Sequence, residues 1–282
     1  MEIRKIKIIS LIVILTLTSC FDIDYKGFLY SSITVDERFA DSEFWNQNNN
    51  NHLKIDAIDY KFIVAGDSHI GGIENIKKMF EEANKSDYSF VAIVGDVTTG
   101  NADDYIVAKN TFDSLTVKPL FLIAGNHDLY YEGWENFYKY FGASSYIVEI
   151  ETNNAIDLLI FLDTGSATLG KKQLEWLTDI LENKRDNYRN CLLFSHVNFY
   201  RTKEHKTGST NFLAEELIIL MDLFYDNDVE FVFSGHDHNR YIIEFAHTQY
   251  ITLDAIKDNF SKASYFVVEN NNGEISYKFV DL

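Results

Sequence analysis

Short apolar runs alternate with stretches of helical periodicity from about residue 60 onward. The first three apolar runs, KFIVAGD, FVAIVGD and PLFLIAGNHD, each end in a glycine and a polar side chain. Runs of this kind predict buried β-strands, whereas residues 72–84 and 102–115 between them have helical character. Repeated strand–helix units predict an α/β sheet, with the polar clusters gathered along its carboxyl edge.

The second half of the chain continues this pattern and then changes to strands alone. The runs YIVEIE, LLIFLDT, CLLFSH and EFVFSGHDH are strand-like. Helices are predicted over QLEWLTDILENK, with Leu174, Leu177 and Leu181 on one face, and near residues 211–225. The last runs, YIIEF, QYITLDA, SYFVVEN and EISYKFVDL, predict antiparallel strands.

The N-terminal part of the chain shows no such regularity. Residues 1–19 have a basic start (MEIRKIK) and an apolar run, Ile8–Leu17, that is too short to span a bilayer but suits a secretory signal. The following LTSC resembles a bacterial lipobox, which implies cleavage before Cys20 and lipid attachment there; an uncleaved amphipathic start or a buried first strand are the alternatives. Residues 20–59 are weakly periodic and predict a tether and edge segment with one or two short elements, such as Gly27–Ile33.

Charge and cysteine content narrow the possible partners. The chain has 25 Lys and Arg against 43 Asp and Glu, a net charge of −18 at pH 7. Such a surface repels polyanions, so we expect no nucleic-acid polymer as a partner. We expect an exported lipoprotein, anchored to a membrane through Cys20 on its extracytoplasmic side, either the periplasmic side or the cell surface. Cys191 then has no disulfide partner, and its run CLLFS predicts a small buried core residue.

Polar clusters end five of the predicted strands. They are Asp67-Ser-His69, Gly95-Asp96, Gly125-Asn-His-Asp128, Ser195-His196 and Gly235-His-Asp-His238. Each cluster alone is weak evidence, because Gly-Asp after a strand is usually a turn and a single histidine is more often structural than ligating. Together they hold five of the eight histidines and fall at one sheet edge, which favours a metal site with imidazole and oxygen ligands.

In this order the clusters resemble the signature of the calcineurin-like metallophosphoesterases: D-x-H, G-D, G-N-H-D/E, an isolated H and G-H-x-H, over about residues 60–245. The resemblance implies one domain, residues 60–282, with two packed mixed β-sheets flanked by helices (an α/β/β/α sandwich) and the metal site at the C-terminal edges of the strands. It implies two divalent ions, of Mn, Fe, Zn or Co, bridged by Asp96. The remaining ligands would be Asp67, His69 and His238 for the first ion, and Asn126, His196 and His236 for the second.

The resemblance also implies a reaction on a small phosphate ester, with Asp96 and His127 as the catalytic residues. A hydroxide that bridges the ions attacks phosphorus, and His127 protonates the leaving group. Asn126, His127 and Arg240 would contact the substrate, although Arg240 fits a solvated or salt-bridged side chain equally well. Asp128 is expected to fix its turn rather than react, and Asp237 to point away from the ions.

Two departures from the family pattern affect these expectations. Thr99 stands where many members have an aspartate that orients the catalytic histidine, so we expect His127 to be less polarised unless Asp103 or Asp104 substitutes. Asn198 stands where a proline often follows the isolated histidine, which predicts a looser loop.

The remaining motifs leave more than one function open. Thr99 disfavours the purple acid phosphatases, and GNHD disfavours the Ser/Thr protein phosphatases, so the chain resembles the nucleotide-phosphodiesterase-like and general phosphohydrolase branches. The choice between monoesters and diesters is open, and we favour a phosphodiesterase, with a phosphomonoesterase as the alternative. A non-catalytic, metal-binding surface lipoprotein is the alternative from another class. Tyr130, Tyr131 and Trp134 either wall a leaving-group pocket or are core contacts of the following helix.

Overall fold

The computed structural model describes residues 32–49, 51–85, 87–200, 208–209 and 211–282. The expected signal, the lipid site at Cys20 and most of the segment Gly27–Ile33 therefore lie outside the described residues. Within the described residues, none of the helices combines the length and the apolar character needed to cross a membrane.

The helices and strands follow the predicted order. The helices are α1 (Val35–Asn46), α2 (Glu74–Ala83), α3 (Ala102–Leu115), α4 (Gly133–Phe141), α5 (Gly170–Lys184) and α6 (Ala214–Asp226). The strands are β1 (His52–Lys54), β2 (Tyr60–Ala65), β3 (Tyr88–Val94), β4 (Leu120–Ile123), β5 (Tyr146–Glu151), β6 (Ile156–Phe161), β7 (Cys191–Phe194), β8 (Phe231–Ser234), β9 (Tyr241–Phe245), β10 (Thr248–Thr252), β11 (Ser264–Asn271) and β12 (Glu274–Asp281). The helices predicted over residues 72–84, 102–115 and near 211–225 are confirmed as α2, α3 and α6.

The strands form two mixed sheets. The five-stranded sheet has the order β12-β11-β2-β3-β4, with β2, β3 and β4 parallel, and the seven-stranded sheet has the order β1-β5-β6-β7-β8-β10-β9. The antiparallel tail is confirmed for the pairs β9–β10 and β11–β12. The prediction of purely antiparallel pairing is wrong for β10. This strand lies between β9 and β8, and it pairs with β8 in parallel. Alternation of apolar residues sets the faces of a strand but not its direction.

The two sheets pack face to face, and helices cover both outer faces. In β2, Phe62 and Val64 enter the core between the sheets, whereas Ile63 and Ala65 face the core shared with α2, α3 and α4. The outer face of the seven-stranded sheet packs on α5 and α6, and Cys191 is buried there, as predicted. The architecture is therefore the expected mixed α/β fold, two packed sheets flanked by helices.

The segment before residue 60 is built into this architecture. Thr34 and Glu37 form a capping box that begins α1, and β1 adds a parallel edge strand beside β5. Inside α1, Arg38 is buried and its Nε donates to Oδ2 of Asp163 at 2.7 Å. In its described part, residues 32–49 and 51–59, the expected edge segment contributes one helix and one strand. Asp163 supports the fold from outside the site.

Candidate metal centre

All the polar clusters predicted at strand ends lie at one edge of the sandwich. β2, β3 and β4 are parallel in one sheet, β7 and β8 are parallel in the other, and the carboxyl ends of these strands face the same region. The residues that follow these strands and meet there are Asp67 and His69, Asp96, Asn126 and His127, His196, and His236 and His238. The structure therefore brings together the whole predicted ligand set.

Five of the seven predicted ligands have left-handed backbone conformations. The φ angles are 55° at Asp67, 40° at His69, 49° at Asp96, 72° at His236 and 50° at His238. Non-glycine residues rarely enter this region, where steric crowding of Cβ costs about 1–2 kcal/mol per residue. Such strain concentrated in one set of turns is typical of a functional site held by the surrounding fold.

Two motif glycines leave room for carboxylates that belong to other motifs. A Cβ at Gly125 would lie 2.2 Å from Oδ1 of Asp96, and a Cβ at Gly235 would lie 2.4 Å from Oδ2 of Asp67. Heavy atoms cannot approach this closely, so any larger residue would displace the carboxylate or the turn. Each glycine thus leaves space for a proposed ligand that follows a different strand.

One half of the centre consists of Asp67, His69 and His238 beside Asp96. Nε2 of His69 lies 3.2 Å from Nε2 of His238, which lies 3.2 Å from Oδ1 of Asp67. One donor atom from each of the four residues falls within 4.8 Å of every other. Two nitrogens bound tetrahedrally to one ion at about 2.0–2.1 Å would be about 3.4 Å apart, so the spacing fits a shared cation.

The other half consists of Asn126, His196 and His236. Oδ1 of Asn126 lies 3.0 Å from Nε2 of His196 and 2.9 Å from Nδ1 of His236, and these two nitrogens are 3.3 Å apart. The far nitrogen of His196, Nδ1, bonds the carbonyl of Val94 at 2.9 Å. That bond assigns the ring proton to Nδ1 and leaves Nε2 free to bind a cation.

Asp96 lies between the two halves. Its Oδ1 is 3.4 Å from Nε2 of His196, and its Oδ2 is 3.6 Å from Nε2 of His69. The backbone N–H of His127 donates to Oδ1 at 2.8 Å and fixes the carboxylate in this orientation. Imidazole, amide and carboxylate donors without thiolate fit manganese, iron, zinc or cobalt.

The protonation states of these residues also suit a cation. Burial lowers the pKa values of His69 and His236 to about 3, so both rings are neutral at neutral pH and can bind a metal. Burial alone would raise the pKa of Asp67, but its interactions with His238 and the other imidazoles hold it well below the usual range. Burial and the neighbouring charge of Asp67 raise the pKa of Asp96.

His127 lies at the edge of the centre rather than inside it. Its side chain is 28% exposed, its Nε2 is 4.0 Å from Oδ2 of Asp96, and its ring packs edge-on against that of His69. Burial and the nearby His196 lower the pKa of His127 to about 4. The ring is therefore neutral at neutral pH unless a bound anion raises its pKa.

Thr99 is tied to the start of α3. Its Oγ1 donates to the carboxylate of Asp104 and accepts from Nδ2 of Asn101 at 2.7 Å. The His127 ring packs against His69 and Tyr130, and its Nε2 lies 4.0 Å from Oδ2 of Asp96. Asp104 thus supports the turn at Thr99, and the weaker polarisation of His127 stays a prediction.

Asp128 holds two of the ligand turns together. Its buried carboxylate accepts from the backbone N–H groups of Val97, Thr98 and Gly125 at 2.8–3.0 Å. The expectation that Asp128 fixes its turn agrees with this geometry. Burial nevertheless raises the pKa of Asp128 to about 6, in opposition to these hydrogen bonds.

Asn198 and Asp237 join the turns after β7 and β8. Nδ2 of Asn198 donates to Oδ2 of Asp237 at 2.7 Å and to the hydroxyl of Tyr241 at 2.6 Å. Asn198 is fully buried and bonded to these partners, and the expectation of a looser loop stays a prediction. Asp237 points away from the ligands and onto these partners, as expected.

Two cationic side chains lie near the site with different partners. Arg240 forms salt bridges with Asp254 at 3.4 Å and with Asp281 at 2.5 Å, so the alternative of a salt-bridged side chain is the one observed. A contact of Arg240 with the substrate phosphate stays a prediction. Lys257, which the sequence analysis missed, places Nζ 3.4 Å from Nδ1 of His238. Nothing in the sequence around Lys257 signals this contact.

The aromatic residues after GNHD divide between site and core. The hydroxyl of Tyr130 accepts from Nδ2 of Asn126 at 3.0 Å, and its ring lies against His127. Trp134 is buried in the core under α4 and donates to Asp41 at 2.8 Å. Core packing is thus confirmed for Trp134, whereas Tyr130 adjoins the metal centre.

Fold and site together define a metal-dependent phosphoesterase. A family model described as calcineurin-like phosphoesterase matches residues 60–240, and the chain belongs to that family. Members act on phosphate esters with metal ions, and the cluster Asp67, His69, Asp96 and His238 is a candidate site for such ions. No curated protein sequence matches the chain with significance.

Solved structures share the fold at low sequence identity. A purple acid phosphatase from yellow lupin (Lupinus luteus) seeds has a TM-score of 0.61 and 12% identity, over 80% of this chain and 52% of that one. A dimetal phosphatase from Danio rerio has a TM-score of 0.59 and 14% identity, over 79% and 98%. GAP50, the anchor in the inner membrane complex of Plasmodium, has a TM-score of 0.57 and 17% identity, over 79% and 84%. Likeness at these identities shows the fold alone.

Proposed function

We propose that this phosphoesterase is a dinuclear enzyme that hydrolyses small phosphate diesters. The observation that supports the proposal is the position of Asp96, whose two carboxylate oxygens face histidines of different halves of the centre. A single carboxylate between two sets of nitrogen and oxygen donors is the arrangement that a pair of divalent ions requires. Asn126, His196 and His236 would hold one ion, and the candidate cluster around Asp67 the other.

Divalent ions would supply attraction for the phosphate oxygens and lower the pKa of the attacking water. The side chains of the protein would position the ions and the substrate and supply the proton for the leaving group. His127 is the general acid in this proposal. Its Nε2 lies near Asp96 at the exposed edge of the centre, and it is not one of the seven proposed metal ligands, so its ring is available for proton transfer. Burial lowers the pKa of His127, and an anionic phosphate beside the ring would raise it again, so His127 would take up a proton from solvent as the substrate binds.

The substrate class rests on motif differences. GNHD and Thr99 depart from the protein phosphatase and purple acid phosphatase patterns, which leaves the phosphodiesterase-like branch favoured and a phosphomonoesterase as the alternative. We also propose that lipid on Cys20 anchors the enzyme to a membrane, facing away from the cytoplasm. The basic start, the apolar run and the LTSC sequence support this anchor.

Metal reconstitution tests the activity. Residues 21–282 are purified, stripped of metal and reloaded with manganese, zinc, iron or cobalt, and hydrolysis of bis-aryl and mono-aryl phosphates is compared. We expect the bis-aryl ester to be the better substrate and the double variant Asp96→Asn with His127→Asn to be inactive. His247→Asn changes an exposed histidine outside the site and serves as the matched control. Activity that persists in the double variant, or a strong preference for the mono-aryl ester, would contradict the proposal.

A non-catalytic role is the second candidate. GAP50, which is described as an anchor, shares the fold, so the fold alone does not require turnover. All seven predicted donors are nevertheless present and gathered, which favours catalysis. A protein that binds two ions but hydrolyses none of the esters with any of the four metals would favour the anchoring role.

A further inference from the structure

Lys257 is fixed beside the metal centre by its backbone. Its N–H donates to the carbonyl of Asp67 at 3.2 Å, and its carbonyl accepts from Nδ2 of Asn75 at 3.1 Å. The next residue, Asp258, accepts from the N–H groups of Glu74 and Asn75 at the start of α2, at 3.0 and 2.8 Å. The loop is therefore bound to the strand end that supplies Asp67 and to the helix that follows.

The ammonium of Lys257 extends from this loop to the ligands. Its Nζ lies 3.4 Å from Nδ1 of His238 and 5.8 Å from the centre of the Phe260 ring. Burial raises the pKa of Asp96 and lowers that of His127, and the charge on Lys257 lowers both pKa values. One cationic group is thus within electrostatic reach of Asp96, between the two halves, and of His127.

The contact with His238 is compatible with one imidazole tautomer only. Nδ1 accepts from the ammonium when Nε2 carries the ring proton, and Nε2 is the atom that faces Asp67 and His69. If Nε2 of His238 held a cation, the ring proton would lie on Nδ1, because neutral imidazole has one N–H. Nδ1 and the ammonium would then both be donors, and they could not remain bonded to each other.

We propose that Lys257, released from His238 when a metal ion binds, contacts a non-bridging oxygen of the substrate's phosphoryl group. This inference rests on the proposed function and adds a specificity for anionic phosphorus centres. A lysine ammonium binds phosphate as a mobile point charge, which suits a side chain that changes partners. In a chain with a net charge of −18, such a charge also favours entry of an anion into the centre.

Binding of inorganic phosphate to the manganese-loaded protein tests this role without requiring turnover. We expect Lys257→Met to weaken phosphate binding about ten- to hundredfold, the value of one hydrogen bond between charged groups, and Lys257→Arg to retain most of it. Lys262→Met, an exposed lysine five residues further along, is the matched control and is expected to bind phosphate like the wild type. Isothermal titration calorimetry measures all four proteins.

Metal affinity separates a substrate contact from a structural role. Because Lys257 repels the cations, Lys257→Met is expected to bind manganese as tightly as the wild type or more tightly. Weaker manganese binding in this variant, or unchanged phosphate binding with manganese bound, would overturn the inference; Lys257→Gln repeats the test if the methionine variant does not fold. Phosphate binding that depends on Lys257 in a protein without esterase activity would refute the proposed function alone.

Discussion

Nε2 of His69 and Nε2 of His238 lie 3.2 Å apart although 169 residues separate them in the chain. Two imidazole nitrogens this close repel each other unless a proton or a cation lies between their lone pairs. Oδ1 of Asp67 lies 3.2 Å from the same nitrogen of His238, which adds a negative charge to the same point. The fold thus holds donors at the separation that a bound cation needs.

The space left by Gly125 should be essential for metal binding. In Gly125→Ala the new Cβ would lie 2.2 Å from Oδ1 of Asp96, so the carboxylate between the two halves must move. We expect metal affinity to fall by about tenfold or more, the loss seen when supporting groups of ligands are removed. Gly71→Ala, whose Cβ has its nearest neighbour at 4.0 Å, is the control. Equal manganese affinity in the two variants, measured by calorimetry, would be inconsistent with this packing.

The buried imidazoles should resist protonation in the metal-free protein. Burial lowers the pKa values of His69 and His236 to about 3, whereas the unfolded chain binds these protons near pH 6.5. Between about pH 6.5 and pH 3 the unfolded chain therefore binds more protons at these two histidines than the folded protein does. The free energy of unfolding is unaffected by them above about pH 6.5 and decreases as the pH falls toward 3. The nitrogen chemical shifts of the His69 and His236 rings, measured by NMR, should still be those of neutral imidazole at pH 5. Midpoints near 6.5 for both rings would refute the assignment.

Tyr130 should act on metal binding through Asn126. Its hydroxyl accepts from Nδ2 of Asn126, which directs Oδ1 toward His196 and His236. We expect Tyr130→Phe to weaken binding of the ion in that half about ten- to hundredfold and to leave the other ion unchanged. Tyr131→Phe, at a side chain that is 44% exposed, is the control. A stepwise manganese titration separates the two ions, and two unchanged steps would rule this role out.

Arg38 should stabilise the fold without affecting the site. The ion pair of Arg38 with Asp163 is 1% exposed on each side, so removal of one partner leaves a buried charge unpaired. We expect Arg38→Met to lower the free energy of unfolding by about 3–5 kcal/mol. Lys171→Met, which removes an exposed pair with Glu175, should have no measurable effect in the same urea denaturation series. A loss below about 1 kcal/mol for Arg38→Met would mean that the pair is dispensable.

The ligands could be predicted from the sequence because each one follows a buried strand in a short motif. Parallel strands bring their carboxyl ends to one edge, so residues as distant as Asp67 and His238 were expected to meet. Their left-handed φ angles could not be predicted. Those conformations depend on contacts across the fold, such as the N–H of His236 donating to the carboxylate of Asp67 at 3.1 Å.

Contacts made by irregular or distant segments could not be predicted either. Lys257 is a single lysine in a loop, and its approach to His238 depends on the path of the chain after β10. Arg38 and Asp163 are 125 residues apart, with no periodic pattern to connect them. The position of β10 between β8 and β9 likewise follows from pairing choices that alternation does not encode.

The central claim is that the centre binds two cations on either side of Asp96. Anomalous diffraction from crystals soaked in manganese, together with elemental analysis of the same protein, tests it most directly. We expect two manganese ions per chain, about 3.5–4 Å apart, one beside His69 and His238 and one beside His196 and His236. A single ion, or no anomalous peak between these histidines, would contradict the claim.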